Sequence, residues 1–530
     1  MRALRVSLNS EKLRRRGTVK ERRLWIVLAT LTVFAIAGGA QAQGASELRV
    51  GWLADPFNIE LNRQRLAMYP LNANVCEPLF RLTHDFRVAP WLGVRSVYVG
   101  NNTFRIRLRQ GVRFHDGSPF TAETVKYSLD RTVRARIGYS FLAEGSTRVI
   151  DGETVEVRPT RPNLRLVEQL VHPTYAIVAL NNDPRMHPVC TGPFRFREYI
   201  AQERLAVEAN PDYWQSPPKV GRITFRFFPD DNTRLLALLS GQIDLAVELP
   251  RSTVRLLRQR RDLQVVTAKP GAVMMMTANV RGKEPYTLLR DVRLRRAVAM
   301  AIDRTTLIRR VMEGLAIAVN TVNPPEILGP YAPLVKGIPY DPEGAVRQLE
   351  EAGWQRGPDG VRTKDGRRLQ LVLLMSHPSD IDPQIPQYLQ GQLRRVGIDL
   401  RLDLMEAAVT DARLDRGEFD LFLWTPNQND ANPVFLLTLW WFKGAIARAG
   451  PYVYAGPEFD AIIDQALRTA SIAEVRRLAA DAMRLLIDQE AIAIPLAGIY
   501  RIFGVRAEVD GFRPHPARLH ADWTTVSVRR

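Results

Sequence analysis

Residues 103–134 read TFRIRLRQGVRFHDGSPFTAETVKYSLDRTVR. Phe104, Ile106 and Leu108 alternate with Arg105, Arg107 and Arg109, so an extended chain puts its apolar groups on one face and its guanidinium groups on the other. This is the pattern of a half-buried strand with one wet side. Gln110 and Gly111 turn the chain into a shorter strand over 112–115, and Asp116-Gly117 turns it again. Thr121 then stands where a helix is capped, with Glu123 in the first turn and Val125, Leu129 and Val133 recurring on one face. The three arginines are expected as a solvated strand face outside any binding site.

The chain around this stretch has 530 residues, 46% of them hydrophobic and 25% charged, which is too much apolar material for one small core and calls for two or more lobes. Its formal net charge is +18, but the arginines are spread along the sequence and no basic run interleaves with aromatics after residue 43, so no nucleic-acid partner is expected. Part of the excess lies at the N-terminus. There Arg14-Arg15-Arg16 and Arg22-Arg23 precede an apolar run over 24–37 and an Ala40-Gln41-Ala42 cleavage site, the build of a secretory signal peptide over 1–42. Fourteen apolar residues fall short of the roughly 20 needed to span a bilayer. An uncleaved signal anchor is the other reading, and the absence of a cysteine after the run argues against a lipoprotein anchor.

Cys76 and Cys190 enter a compartment that permits disulfides, and the sequence leaves open whether they pair or remain two buried thiols. The seven histidines are scattered, with no CxxC, HExxH or Cys/His cluster, so neither a metal site nor a cofactor is expected. GxSxG, Walker-type and GxGxxG loops are also missing, which points away from an enzyme. Three consecutive methionines, Met274 to Met276, lie in an apolar strand; neighbours there face opposite sides, so they belong to the core rather than to one ion.

Elsewhere the periodicities alternate. Strands are expected at 47–53, 223–228, 243–247, 369–375, 398–404 and 419–424, and helices at 232–240 and 384–395. Asp291, Asp303 and Asp341 each stand at a helix start, the last followed by Pro342 and closed by Gly353. Repeated β-α-β order argues for sheets flanked by helices.

GVRFHDGSPFTAETVKYSLDR, residues 111–131, resembles the signature of the extracytoplasmic solute-binding proteins of peptide-type ABC importers, family 5, which include oligopeptide, dipeptide and nickel binders. Cys76-Glu77-Pro78-Leu79-Phe80 is similar to that family's Y-E-x-L-F, VCTGPFRF at 189–196 to V-G-T-G-P-Y-x-F, and Asn210-Pro211-Asp212-Tyr213-Trp214 to N-P-x-Y-W. Asp291-Val292-Arg293-Leu294-Arg295 and Ala301-Ile302-Asp303-Arg304 resemble its scaffold motifs.

The resemblance implies a periplasmic-binding-protein type II-like α/β fold: two α/β lobes joined by a hinge, plus a small mixed subdomain inserted in the first. Lobe I is expected at 43–80, 187–270 and 495–530, the subdomain at 81–186 and lobe II at 271–494. The function implied is the periplasmic substrate-binding component of an ABC importer. Such a protein, expected as a monomer, takes a peptide-like or other small solute between its lobes and passes it to an inner-membrane permease whose ATPases are separate chains. A secreted hydrolase with an unrecognised site, or a ligand sensor on the same fold, are the alternatives.

Residues 424–430, WTPNQND, resemble the W-x-x-D-x-x-D-P segment of the peptide binders, in which the first aspartate holds the peptide's α-ammonium. Trp424 and Asp430 match, but Asn427 occupies that aspartate's place. An amide cannot balance a buried ammonium, so Asn427 is expected to favour a ligand that is neutral or anionic there, unless Asp430 takes over the role. By position in the resembled family, Asp55, Phe57, Asn58, Tyr139, Asn323 and Tyr500 complete the expected pocket.

Overall fold

The computed structural model describes residues 46–56, 71, 74–135, 141–185, 187–377, 381–445, 447 and 449–529; the expected signal segment, Phe57, Asn58 and Tyr139 lie outside them. Among the described residues two mixed sheets form the lobes. In spatial order the first contains Leu263–Ala268, Arg501–Arg506, Leu245–Ala246, Glu47–Trp52, Arg222–Phe227, Arg204–Ala209 and Phe194–Ile200. The second contains Ala316–Ile317, Ala493–Ile499, Val273–Ala278, Leu421–Trp424, Gln370–His377 and Asp399–Glu406.

The first sheet is parallel at its centre, where Glu47–Trp52 lies between Arg222–Phe227 and Leu245–Ala246, and antiparallel outward. Leu48, Val50 and Trp52 enter a core with Phe194, Phe225 and Trp523, while helix Asp231–Leu239 covers the opposite face. Asp230 caps that helix, its carboxylate accepting from Thr233 N at 2.7 Å. In the second sheet the methionines separate by face. Met274 and Met276 join the core under helices Val292–Met300 and Gln384–Arg395, and Met275 joins the one formed with Phe419, Trp441 and helix Ile472–Met483.

The opening stretch forms strand Phe104–Leu108 and helix Ala122–Arg134 of the inserted subdomain. Phe104, Ile106 and Leu108 are buried, and Arg105 and Arg107 exposed, in the register read from the sequence. The strand lies between Gly93–Tyr98 and Thr154–Val157 in a four-stranded sheet on which the helix packs. Two details differ. The expected strand over 112–115 reduces to a single bridge between Arg113 and Pro119, made by Phe114 N to Ser118 O at 2.8 Å and Phe120 N to Val112 O at 3.1 Å and cut short by the turn in which Gly117 N bonds Phe114 O at 2.9 Å. Arg109 is not solvated like its neighbours: its guanidinium lies 4.5 Å from the Trp214 ring centre, and Nε donates to Trp91 O at 2.7 Å.

Cys76 and Cys190 are joined in a disulfide, which settles the alternative left open by the sequence. The bond lies where the chain leaves the first lobe for the subdomain and where it comes back, beside backbone bonds from Gly192 N to Val75 O and from Phe194 N to Asn74 O. This neck also holds Glu77. Its two buried carboxylate oxygens accept from Trp91 Nε1 (2.7 Å), Tyr213 OH (2.7 Å), Thr191 Oγ1 (2.8 Å) and Trp214 Nε1 (3.1 Å). The Asn-Pro-Asp-Tyr-Trp block therefore supports the neck.

Candidate functional site

Among the described residues the chain crosses between the sheets twice. Strand Leu263–Ala268 gives way to Val273–Ala278 across four residues, and Ala493–Ile499 gives way to Arg501–Arg506 across Tyr500 alone. Beside these crossings lies a cavity lined by Arg251, Gly271, Met274, Ile385, Thr425, Asn427, Ile499, Arg501 and Arg518. Arg251, Arg501 and Arg518 belong to the first lobe and its C-terminal segment, and Ile385, Thr425 and Asn427 to the second. The cavity measures about 20 Å³, room for about one water molecule, so a peptide-sized solute enters only when the lobes part.

Several bonds hold this closed arrangement from the subdomain side. Arg165, with a side chain only 5% exposed, donates to Thr469 O and Ala470 O at the end of helix Pro457–Arg468, and Leu164 N donates to Leu467 O at 2.9 Å. Ala431 N donates to Glu168 O at 3.2 Å. At the cleft itself, His520 Nε2 lies 2.8 Å from Asn429 O; burial pushes this imidazole's pKa down to about 4, so the neutral ring donates.

Asn427 faces this cavity, and its backbone bridges Ala272 at the crossing. Trp424 stands just outside the lining: its ring lies 3.9 Å from that of Trp440, centre to centre, and its Nε1 donates to Thr277 Oγ1 at 2.9 Å. Asp430 is fully buried away from the lining, with Oδ1 accepting from Gln428 Nε2 at 2.7 Å and Asn432 N at 3.1 Å, and burial drives its pKa well above the usual carboxylate range. It braces the loop that presents Asn427. Asn323 is buried too and does the same from behind, donating to Pro433 O at 3.1 Å. Tyr500 lies between two lining residues at the second crossing. Asp55 is placed elsewhere in the first lobe, outside the cavity lining, where Tyr199 OH and Gln202 N donate to its carboxylate at 2.5 and 2.6 Å.

The arginines had no signal in the sequence. Arg251, Arg501 and Arg518 sit in unremarkable basic contexts, and only the return of the C-terminal segment to the first sheet brings them together. Arg501 and Arg518 share Glu248, at 3.2 and 2.7 Å.

Gly271 joins three elements at this point. Its carbonyl accepts from Gln428 N at 2.9 Å, and a Cβ on it would come within 2.0 Å of Pro516 O in the C-terminal segment. Backbone cannot yield as a flexible side chain does, so Gly271→Ala is expected to cost about 1–3 kcal/mol and to displace the Asn427 loop. Thermal unfolding together with ligand titration checks this; unchanged values of both would refute it.

Comparison with known proteins follows the same lines. The model of the family described as bacterial extracellular solute-binding proteins, family 5 Middle, matches residues 87–448. The glutathione-binding protein GsiB of Salmonella paratyphi A is 29% identical over 443 residues, 79% of this chain and 82% of the relative. NikA from Brucella suis, solved in complex with Fe(III)-EDTA, superposes with a TM-score of 0.80 at 23% identity, covering 91% of this chain and 100% of the other. The periplasmic binding protein DppA from Helicobacter pylori, in complex with peptide STSA, gives a TM-score of 0.75 at 21% identity over 92% and 99% of the two chains. The shared fold is the two-lobed α/β architecture expected from the sequence.

Proposed function

The chain belongs to the bacterial extracellular solute-binding proteins, family 5, and we propose that it captures a short peptide-like solute in the periplasm and delivers it to an ABC permease served by separate ATPases. The family is one of binding proteins, which favours capture over the hydrolase alternative. A cavity between two lobes suits that task, because a ligand stabilises the closed form only through contacts made to both sides at once.

The observation that carries the choice of solute is Asn427 on the cavity wall, where the peptide-binder pattern has an aspartate. A neutral amide accepts a hydrogen bond from an ammonium without balancing its charge, and an unbalanced buried ammonium costs on the order of 3–5 kcal/mol. The solute is therefore one whose group at this position is neutral or carries its own compensating charge. Glutathione, the ligand in the names of the GsiB relatives, meets that condition. Its γ-linked glutamate keeps the ammonium and a carboxylate on one carbon, so the local charge sums to zero.

Calorimetric titration with glutathione and with ordinary α-linked di- and tripeptides tests this reading. Wild type is expected to prefer glutathione, and Asn427→Asp to gain affinity for α-linked peptides by about 3 kcal/mol, roughly a hundredfold. Micromolar or tighter binding of α-linked peptides by wild type would overturn the role given to Asn427. Chemical turnover of a bound solute would restore the hydrolase alternative.

A further inference from the structure

Arg251 opens the short turn Arg251–Thr253 that follows strand Leu245–Ala246 of the first sheet. Its side chain is 9% exposed, and among the described residues it donates no hydrogen bond. Nε is sealed from solvent without an acceptor, and the nearest carboxylate oxygen, Asp382 Oδ2 of the second lobe, stands 3.7 Å from Nη2. Asp382 is itself occupied, its Oδ1 accepting from Gln384 N at 2.9 Å.

A permanently charged planar fork thus lines the cavity largely buried, with Nε unsatisfied and its nearest carboxylate beyond hydrogen-bonding distance. Burial lowers the pKa of this guanidinium against the opposing pull of Asp382 and Glu313. The other arginines of the cavity differ, since Glu248 lies within bonding distance of both. A charge buried without a close partner is strongly unfavourable, and a carboxylate would supply both the charge and the paired acceptors that the fork matches.

We infer that Arg251 is the receptor for a carboxylate of the bound solute, held between the first lobe and the second-lobe wall of Ile385, Thr425 and Asn427. This deepens the solute-binding reading above and rests on it. The carboxylate bonds to Arg251 while the rest of the solute contacts the opposite wall, so the same group that confers affinity also draws the lobes together.

The test titrates ligand-free wild type and Arg251→Met with N-acetylated tripeptides, each supplied as a free acid and as its C-terminal amide. Wild type is expected to bind the acids at least about tenfold more tightly than the amides, and the variant to lose that preference by falling to the affinity of the amide. An acid preference that survives in the variant, or an equal loss for acid and amide, overturns the assignment. If wild type binds neither form, α-linked peptides fail as solutes while the glutathione titration still judges the solute reading, and thermal unfolding of the ligand-free proteins decides on Arg251 separately. Removing a cation reserved for a solute raises the midpoint, whereas removing a structural partner of Asp382 lowers it; a lowered midpoint overturns the proposal.

Discussion

Reduction of the Cys76–Cys190 disulfide lowers the stability of the protein by about 4–5 kcal/mol, the chain-entropy value for opening a loop of roughly a hundred residues. The two cysteines are 114 residues apart, and the loop they close is essentially the whole subdomain with its attachments. In the reduced protein the neck keeps its backbone bonds, such as Gly192 N to Val75 O at 3.0 Å, the four side-chain bonds to Glu77, and its packing. Urea unfolding of oxidised wild type, reduced wild type and the Cys76→Ala/Cys190→Ala double variant measures the effect. The last two should unfold at the same, lower midpoint. Coincidence of all three curves would show that the bond contributes nothing to stability.

Replacing Glu77 by alanine is the second large loss, on the order of 3–5 kcal/mol. The substitution leaves Trp91 Nε1, Trp214 Nε1, Tyr213 OH and Thr191 Oγ1 without their acceptor in the neck. Each orphaned buried donor costs about 1–3 kcal/mol, partly recovered where a hydroxyl rotates to another acceptor. The carboxylate is buried, and burial raises its pKa despite the four donors that pull it down. Its charge is answered at one remove. Arg81 lies 4.4 Å from the Trp91 ring centre and Arg109 4.5 Å from that of Trp214, so each indole donates its N–H to the anion and offers its face to a cation. Thermal unfolding of Glu77→Ala checks the loss, and a midpoint within a degree or two of wild type would refute it. Tryptophan fluorescence should shift in the same variant, since both indoles lose their partner.

These neck contacts show how far the sequence can be read. The Glu77 and Asn-Pro-Asp-Tyr-Trp segments were recognisable one at a time, each as a family motif, because a motif is local. That Tyr213 and Trp214 donate to Glu77 is a relation across 136 and 137 positions, which no periodicity encodes. The strand at 104–108 was legible to the residue, since alternation reports directly on which face is buried. The strand expected at 112–115 failed because turn bonding around Ser118 and Pro119 outweighed a short apolar alternation.

The site divided in the same way. The loop carrying Asn427 was visible because it departs from a pattern. Its supports, Asp430 and Asn323, were expected to touch ligand but lie behind the cavity wall, a distinction that depends on burial rather than residue type. The arginines were invisible because arginine is common in this chain, and only its surroundings mark Arg251 as different from the rest.

The two crossings have a mechanical meaning. Leu263–Ala268 pairs antiparallel with Arg501–Arg506 in one sheet, and Val273–Ala278 pairs antiparallel with Ala493–Ile499 in the other. Ile499 N bonds Ala272 O at 3.1 Å at the edge of the joint, which leaves the four residues 269–272 facing Tyr500 between two paired ribbons. A laced double ribbon of this kind bends and twists, but neither strand can slide past the other without breaking the ladder. The joint is a flexure with its axis built in. A swing of one lobe against the other is thereby confined to nearly one arc, whatever drives it.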